Sequence, residues 1–436
     1  MDYGLLIGII GFVIMFALIL IGAPIFISLM IASVFGFWML SGSSFCFVQF
    51  TNAAYNVTAS FTFAVVPMFI LMGIIAGESG LAEAAYYAAK AWMGKLRGGV
   101  LITTIFANTI FGAISGVSLG STAMFTKLSL PELDKLGYDK RTSAACIATA
   151  GVLVNLIPPS VSVLIFCVIV NLSIGKALVA GIVPGIITTF VLSGTVLVLA
   201  KLRPQKFPVD KTLHFTTKQK FVSLYKIWPI FLVFILVIGG IYGGFFSSTV
   251  GGAVGAFVIL LYGLISRNLN WVKTRRALWD SAIMSAQIFP LVLGGYIFSR
   301  YISLSGLTDL MMNWIVTLNV HPLIIMLVVL IFYIIMGAIM DIMAILIITL
   351  PVIFPLLVSL GFESYSLVVI LIFMVSIAGL TPPIGMSVFV VAAAAKMDSS
   401  EVFRGIIPFF LAEMLVVILL VFLPEIATWL PNLMYQ

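Results

Sequence analysis

The sequence predicts an all-α polytopic membrane protein. Of its 436 residues, 62% are hydrophobic and 8% are charged, whereas soluble domains carry roughly 25% charged residues. Apolar runs reach about 20 residues, which is enough to cross roughly 30 Å of hydrocarbon. Alternating ten-residue segments, the pattern of an outer-membrane barrel, are absent. The first apolar run follows Met-Asp-Tyr-Gly without a basic region, so it indicates a transmembrane helix rather than a cleavable signal peptide.

Composition also disfavours several function classes. The net charge of +7 comes from short loops between apolar segments, so it does not indicate nucleic-acid binding. Cys46, Cys146 and Cys167 lie in or beside apolar segments without metal-ligand spacing, and we expect free thiols. His214 and His321 fall in predicted loops, which weakens a proton relay or a metalloenzyme. We therefore do not expect an enzyme.

Twelve apolar segments divide the chain. Their approximate bounds are 4–21, 24–40, 61–77, 99–128, 142–171, 177–200, 228–246, 249–265, 281–298, 322–358, 366–395 and 405–423. Segments 99–128 and 322–358 are long and contain glycine-rich turns, and segments 142–171 and 366–395 each contain a Pro-Pro pair. These four predict re-entrant hairpins and broken helices.

Five short motifs recur in the same order with offsets of 224 to 226 residues. The pairs begin at Ser79 and Ser305, Gly112 and Gly337, Leu136 and Leu360, Pro158 and Pro382, and Gly181 and Gly405. The recurrence predicts two copies of one unit, 1–200 and 227–436, joined by a linker at 201–226 with seven Lys/Arg. Such repeats indicate duplicated architecture.

Loop charge predicts the orientation of the two copies. If both hairpins enter and leave on one side, the other ten segments cross, and 20 of the 22 Lys/Arg lie in loops of one side. The positive-inside rule makes that side cytoplasmic, so both termini are predicted to be periplasmic. Each copy then crosses five times, which inverts the second copy relative to the first. Segment 82–97 is predicted to be an amphipathic helix on the inner surface, or an arm that joins two rigid bodies.

The hairpin tips and the Pro-Pro breaks carry the chemistry. Gly112–Gly116 and Asn155–Ser160 form one constellation, and Gly337–Asp341 and Leu380–Gly385 form the other. Proline inside a helix frees backbone carbonyls, which are tolerated in hydrocarbon only where protein, water or an ion satisfies them. A sodium ion suits such oxygen-rich sites, and half-helix N-termini suit an anionic substrate.

Two sets of candidate residues follow. The candidate sodium ligands are Gly112, Ser115, Pro158, Gly337, Asp341, Thr381 and Pro382. The candidate substrate-binding residues are Ser115, Gly116, Ser118, Asn155, Ser160, Thr381 and Gly385.

Structural alternatives stay open for these residues. A Pro-Pro pair also makes a simple kink, glycines four apart also mark close helix packing, and a hairpin-tip acid such as Asp341 also caps a helix. Glu413 is a second acid within an apolar segment, either protonated or bonded to a neighbouring helix. Gln287 and Asn108 are expected to be helix-packing polar residues.

These motifs together resemble the large membrane subunit of tripartite ATP-independent periplasmic (TRAP) transporters, over essentially the whole chain. The resemblance implies sodium-coupled import of a small organic acid across the bacterial inner membrane. It also implies an elevator mechanism, in which hairpins and broken helices form a transport domain that moves against a scaffold. It implies two partners, a small four-helix membrane subunit and a periplasmic substrate-binding protein. The usual family motif places Asp where this chain has Ser121.

Other functions predict different features. A stand-alone elevator symporter shares the hairpins but needs no binding protein. An intramembrane enzyme needs paired acids or a histidine cluster, which the sequence does not supply. A passive scaffold gives no reason for Pro-Pro breaks in both halves.

Overall fold

The computed structural model describes residues 3–210, 213–317 and 320–434, and every regular element in these residues is helical. The helices of the first half are α1 (Tyr3–Leu20), α2 (Ile25–Ala59), α3 (Val65–Glu78), α4 (Leu81–Met93), α5 (Gly99–Ser115), α6 (Ser118–Lys135), α7 (Lys140–Val152), α8 (Val161–Val170), α9 (Ile174–Ala180) and α10 (Ile182–Leu202). Short 3₁₀ turns span Phe61–Ala64, Leu153–Asn155 and Pro204–Lys206.

The remaining helices follow the linker. They are α11 (Thr217–Lys226), α12 (Trp228–Tyr242), α13 (Ser248–Ile265), α14 (Trp271–Leu304), α15 (Leu307–Thr317), α16 (Pro322–Gly337), α17 (Ile342–Ser359), α18 (Ser364–Ala378), α19 (Met386–Ala395), α20 (Ser399–Phe422) and α21 (Glu425–Met434). Among the described residues, eight helical stretches are long and apolar enough to cross a membrane, or nine if the bent pair α11–α12 is one span. The predicted all-α polytopic membrane fold is confirmed.

Two predicted spans are longer than their apolar segments. Segment 24–40 lies in α2, which continues to Ala59 after a break at Gly42 (φ 82°), and segment 281–298 lies in the 34-residue helix α14. The thiol of Cys46 lies 3.8 Å from the Val34 carbonyl, so the two arms of α2 fold back on each other. Hydropathy did not reveal the second arm because Ser, Thr, Asn and Gln are interspersed there.

The hairpins and broken helices have the predicted order. Helices α5 and α6 meet at Gly116–Val117, but the hairpin continues to Lys135 rather than ending near 128. Helices α16 and α17 form the second hairpin. Non-helical backbone separates α7 from α8 and α18 from α19, at both Pro-Pro pairs. The inverted relation of the two halves stays a prediction.

The recurring Leu-Gly-aromatic-acid motif is a helix junction in both halves. Gly137 and Gly361 have φ of 77° and 91°, a backbone region that glycine tolerates best. Asp139 then caps α7 by accepting a hydrogen bond from the Thr142 amide at 3.1 Å. Glu363 caps α18 by accepting from the Ser366 amide at 2.6 Å. A tight turn followed by a helix cap explains why the motif is repeated.

The linker is held against the first half. Phe207 is buried against Tyr138, with ring centroids 6.2 Å apart, and Lys206 pairs with Asp139 at 3.0 Å. Trp92 of α4 and Phe221 of α11 make an edge-to-face contact at 6.1 Å. Helix α4 is amphipathic as predicted, but its apolar face is buried against protein, and Lys90 pairs with Glu132 at 2.5 Å.

We expect Asp139→Ala to lower the free energy of unfolding by about 1 kcal/mol, the usual effect of losing an N-cap. Burial alone raises the pKa of Asp139, but hydrogen bonds from Thr142 and Lys206 lower it by more. The pKa of Asp139 in the folded protein is therefore below 3.8. The stabilisation is therefore complete above pH 3.8 and is lost as the pH falls through the folded pKa. Thermal unfolding across this pH range measures it.

Asp134→Ala is the control for this prediction. Asp134 is more exposed and lies 4.0 Å from Lys140, so its loss should change stability little at any pH. Equal effects of the two substitutions would contradict the assigned role of Asp139.

Candidate functional site

The tip of the first hairpin is bonded to both sides of the first break. Gly116 has the left-handed conformation (φ 64°), and its carbonyl accepts a hydrogen bond from the Val161 amide at 3.2 Å. The Ser118 hydroxyl donates to the Gly151 carbonyl at 2.9 Å, on the other side of the break. The hairpin therefore satisfies backbone groups that the interrupted helix leaves free.

The second half repeats this arrangement. The Ala338 carbonyl at the tip of hairpin two accepts from the Ile384 amide, next to the second break, at 3.1 Å. A side chain at Gly337 would clash with Ala378, because a Cβ there would lie 2.2 Å from the Ala378 Cβ. Close packing of α16 on α18 thus requires Gly337.

The two breaks differ in their surroundings. Every residue from Leu156 to Ser160 is buried, whereas Pro382, Pro383 and Ile384 are exposed on the chain. The first break is therefore enclosed by the protein itself, and the second lies at its surface.

Asn155 links the two halves. Its side-chain amide donates to the Ser376 hydroxyl of α18 at 2.9 Å, and its carbonyl oxygen accepts from the Ser162 hydroxyl at 3.3 Å. All three side chains are buried, so these bonds are made away from water. Asn155 thus ties the first break to the helix that precedes the second.

Asp341 caps α17 and also faces a cavity. Its Oδ1 accepts hydrogen bonds from the amides of Met343 at 2.8 Å and Ala344 at 3.1 Å. In the part of the chain that the structure describes, no hydrogen bond reaches Oδ2. The capping interpretation is confirmed, and one oxygen remains for a ligand.

A cavity of about 440 Å³ lies between the hairpin tips, the breaks, α3 and α14. We call it the tip cavity. Its wall includes Ser115, Gly116 and Ser118 from the first tip, Asn155 at the first break, and Asp341 from the second tip. Much of the remaining wall is methionine, isoleucine and glycine, so few polar groups converge on an apolar pocket, as ligand sites usually arrange them.

One polar atom in this wall has no partner within the described chain. The Ser115 hydroxyl is buried, with the residue 3% exposed, and no hydrogen bond reaches it. Buried hydroxyl groups are normally hydrogen-bonded, because an unsatisfied one costs about 1–3 kcal/mol. Ser115 is therefore suited to bind a ligand, an ion or water in the tip cavity.

The charge in the tip cavity is negative. Glu78 and Asp341 are the acids in its wall, and no Lys or Arg lies among the described residues that line it. These two acids favour a cation, whereas α6, α8, α17 and α19, whose first residues also line the cavity, each bring a helix N-terminus with partial positive charge that favours an anion.

The cavity wall does not include every predicted residue. Gly112, Pro158, Ser160, Gly337, Thr381, Pro382 and Gly385 lie outside it. Ser160 caps α8 by accepting from the Val163 amide at 3.4 Å, and the Thr381 hydroxyl donates to the Ala378 carbonyl at 2.7 Å. Pro158, Pro382 and Gly385 lie at the breaks, and Gly112 and Gly337 lie in the hairpin helices α5 and α16.

Three polar cavity residues were missed by the sequence reasoning, namely Glu78, Ser162 and Ser387. Ser162 and Ser387 are 225 residues apart, and valine follows each of them. The repeat offset could therefore have identified both serines. Glu78 is the last residue of α3 and lies outside the repeated motifs, so nothing in the sequence pattern indicated it.

The structure also gives the surroundings of Ser121, Gln287 and Glu413, which the sequence analysis named outside the two candidate sets. Ser121, at the usual Asp position, donates to the Asn108 side chain at 2.8 Å and lines the tip cavity. Gln287 is exposed on this chain, so its predicted packing role is wrong. Glu413 is fully buried, neither of its carboxylate oxygens has a partner among the described residues, and it is not part of the cavity wall.

Comparison with known proteins decides the family. The family described as "Tripartite ATP-independent periplasmic transporter, DctM component" matches residues 12–426. The chain belongs to this family. TRAP large permeases normally work with a small membrane subunit and a periplasmic binding protein, and they are multi-pass proteins of the bacterial inner membrane. They are transporter permeases rather than enzymes.

Several relatives are similar along most of the TRAP permease chain. The C4-dicarboxylate TRAP transporter large permease protein DctM of Pseudomonas aeruginosa is 26% identical, over 87% of this chain and 88% of the relative. The ectoine/5-hydroxyectoine TRAP transporter large permease protein UehC of Ruegeria pomeroyi is 28% identical, over 98% and 99%. The isethionate TRAP transporter permease protein DctMQ of Oleidesulfovibrio alaskensis is 26% identical, over 94% of this chain and 64% of the relative.

The fold is also similar to a solved transporter. The crystal structure of the Alcanivorax borkumensis YdaH transporter matches with a TM-score of 0.62 at 15% identity, and the match covers 89% of this chain and 90% of that one. At this identity the similarity concerns the fold alone.

We expect Gly73→Ala to destabilise the contact between α3 and the first hairpin tip. A Cβ at Gly73 would lie 2.0 Å from the Ser115 carbonyl oxygen, so the tip must move away. Overpacking of this kind typically costs about 1–3 kcal/mol. Thermal unfolding of the purified protein measures the change.

Gly194→Ala in α10 is the matched control. A Cβ at Gly194 would meet nothing within 4 Å, and alanine favours the helix by up to about 1 kcal/mol. We expect Gly194→Ala to be neutral or stabilising. If Gly73→Ala were equally well tolerated, the tip would not depend on close contact with α3.

Proposed function

We propose that this TRAP permease imports a small organic acid across the inner membrane by sodium-coupled elevator movement. The observation that carries the proposal is the tip cavity, where the unpartnered Ser115 hydroxyl and two carboxylates lie in one wall. The described residues of this wall include no Lys or Arg. A carboxylate substrate is bound there when a cation balances the charge. Sodium supplies that charge, and its gradient supplies the free energy.

The proposed sodium position lies beside hairpin two. Asp341 lies in the cavity wall at the start of α17, and its Oδ1 already caps that helix, so Oδ2 is the oxygen proposed to bind sodium. Sodium prefers several oxygen ligands, and the desolvated tip makes a full negative charge more effective than it is in water. Ser115 and Asn155, on the other side of the cavity, are proposed to contact the substrate.

The elevator movement is proposed to occur along α3 and α14. A glycine lies at one close contact of each helix with a hairpin: Gly73 abuts the Ser115 carbonyl, and Gly295 of α14 abuts Ile347 of α17. Such small residues let the face formed by α3 and α14 approach the hairpins closely. Hairpins and broken helices, joined by the bonds at their tips, are proposed to move past this face as one body.

The proposed partners are those of the family. The match to DctMQ covers 64% of that relative, so the relative has additional chain, which we propose supplies its small membrane subunit. In this permease a separate four-helix subunit is proposed to pack on exposed apolar residues of the scaffold, such as Val13 and Trp38. A periplasmic binding protein is proposed to deliver the substrate, on the side where both termini are predicted to lie.

A zwitterionic substrate is the second candidate. The wall of the tip cavity has acids but no cation among the described residues, and UehC is named for ectoines. A substrate with its own positive charge balances the acids without sodium. Sodium dependence of binding separates the two candidates.

We expect sodium to raise the thermal stability of the purified permease relative to equal potassium. Binding to the folded state alone contributes about 2.7 kcal/mol at a hundredfold excess over the dissociation constant. Asp341→Asn should abolish this increase while retaining the fold, because asparagine caps a helix about as well as aspartate. Scanning calorimetry in the two salts measures both effects.

Asp398→Asn is the matched control, since Asp398 caps α20 through its own Oδ1, with the Ser400 amide at 2.7 Å, and lies outside the cavity. This variant should keep the sodium response. A response that survives in Asp341→Asn would exclude Asp341 as a ligand, and no response in the intact protein would remove the support for sodium.

A stand-alone symporter predicts a different requirement for uptake. We expect proteoliposomes that contain the permease and its small subunit to accumulate labelled substrate only when the binding protein is added. Substrate is proposed to enter from the binding protein rather than from solution. Uptake at equal rate without the binding protein would favour the stand-alone alternative.

A further inference from the structure

A second and larger cavity lies near the C-terminal end of α14. Its volume is about 750 Å³, and its wall comes from the end of α2 and the turn before α3, from the end of α8, and from α14. Arg300 contributes the charge, and Asn56, Ser60, Asn171, Ser299 and Ser303 contribute polar groups. We call it the Arg300 cavity.

The two cavities occupy different lengths of the same helix. Met284 and Ile288 of α14 face the tip cavity, whereas Arg300 and Ser303 face the other. The nearest wall residues on α14, Ile288 and Val292, are four residues apart, which corresponds to about 6 Å along a helix. No described residue lines both cavities. The Arg300 cavity is therefore a pocket of its own.

Arg300 is available to a ligand. It is exposed, and in the part of the chain that the structure describes no carboxylate lies within ion-pair distance of it. The described wall of this cavity contains no Asp or Glu. A guanidinium group beside amide and hydroxyl groups offers the donors that carboxylate and sulfonate groups bind.

Helix ends also contribute partial charges here. Helices α2, α8 and α14 end at this cavity, which places roughly half a negative charge at each end, and α9 and the turn before α3 bring two helix N-termini of opposite sign. The two N-termini offset two of the three C-termini. The full charge on Arg300 exceeds what remains, so the field in the cavity favours an anion.

We infer that the Arg300 cavity is a capture site for a small organic anion, distinct from the tip cavity. The inference rests on the proposed function for its organic-acid cargo. The charged side chains in the described wall of the tip cavity are two acids, whereas the charged side chain in the described wall of the other cavity is Arg300. Under the predicted topology, Arg300 lies on the periplasmic side. An anion is then held at Arg300 first, and it moves to the tip cavity when a cation is bound there.

Charged thiol reagents test the field without knowledge of the substrate. In a background with Cys46, Cys146 and Cys167 replaced by alanine, Ser303→Cys places a thiol in the cavity wall. Two methanethiosulfonate reagents then modify this thiol, the anionic sulfonatoethyl and the cationic trimethylammonioethyl derivative. Intact-mass spectrometry measures the rate of modification by each reagent. Arg300→Gln should lower the anion-to-cation rate ratio about sixfold, since a unit charge at about 8 Å in water changes each rate about 2.4-fold in opposite directions.

Two further variants control for folding and for distant charge. Arg300→Lys keeps the charge and should keep most of the ratio. Arg276→Gln removes an equal charge near the start of α14, where Arg276 lies 3.7 Å from Asp280, and should leave the ratio unchanged. A ratio that is the same with and without Arg300 would overturn the inference.

Occupancy is tested with succinate and isethionate as probes. Each should slow the modification of Ser303→Cys by uncharged N-ethylmaleimide, relative to potassium chloride of equal ionic strength, and should lose this effect in Arg300→Gln. If neither probe protects the thiol, the capture site is overturned. If only added phosphatidylglycerol protects it, the capture site is also overturned, because the cavity then binds a lipid headgroup. Protection without a sodium-dependent rise in stability would retain this site and count against the proposed sodium site instead.

Discussion

A helix that is interrupted inside a membrane leaves backbone N–H and C=O groups without partners, and each unsatisfied group costs several kcal/mol in hydrocarbon. In this permease the hairpin tips supply partners. The Gly116 carbonyl binds the Val161 amide beside the first break, and the Ala338 carbonyl binds the Ile384 amide beside the second. Each break thus fixes the position of a tip, and the tip cavity forms where the two tips approach each other.

The same constraint unites the two halves. Asn155 can bond to Ser376 because the first break brings an unwound segment against α18. The resulting body includes both hairpins and both broken helices, and it meets α3 and α14 through glycines at positions 73 and 295. In the proposed elevator mechanism, this body is the part that moves against α3 and α14.

Much of the fold was predictable from the sequence, because long apolar runs mark helices and proline pairs interrupt them. The Pro158 and Pro382 pairs located both breaks, and the glycine-rich turns located both tips. Other features depend on local contacts that periodicity does not encode. The second arm of α2 has mixed polarity, so hydropathy does not mark it as a helix. Whether Gln287 packs against another helix depends on which residues surround it in the folded chain. Five of the predicted site residues face the tip cavity, since a motif indicates a break but does not indicate which side chains turn inward.

The unequal surroundings of the two breaks have a consequence for evolution. Residues 156–160 are enclosed by the protein, so a substitution there must be accommodated by the chain itself. Pro382, Pro383 and Ile384 face outward, so their neighbours are water, lipid or another subunit. The two occurrences of one motif thereby come under different selection. The first is constrained by its own core, and the second can diverge together with whatever lies beside it.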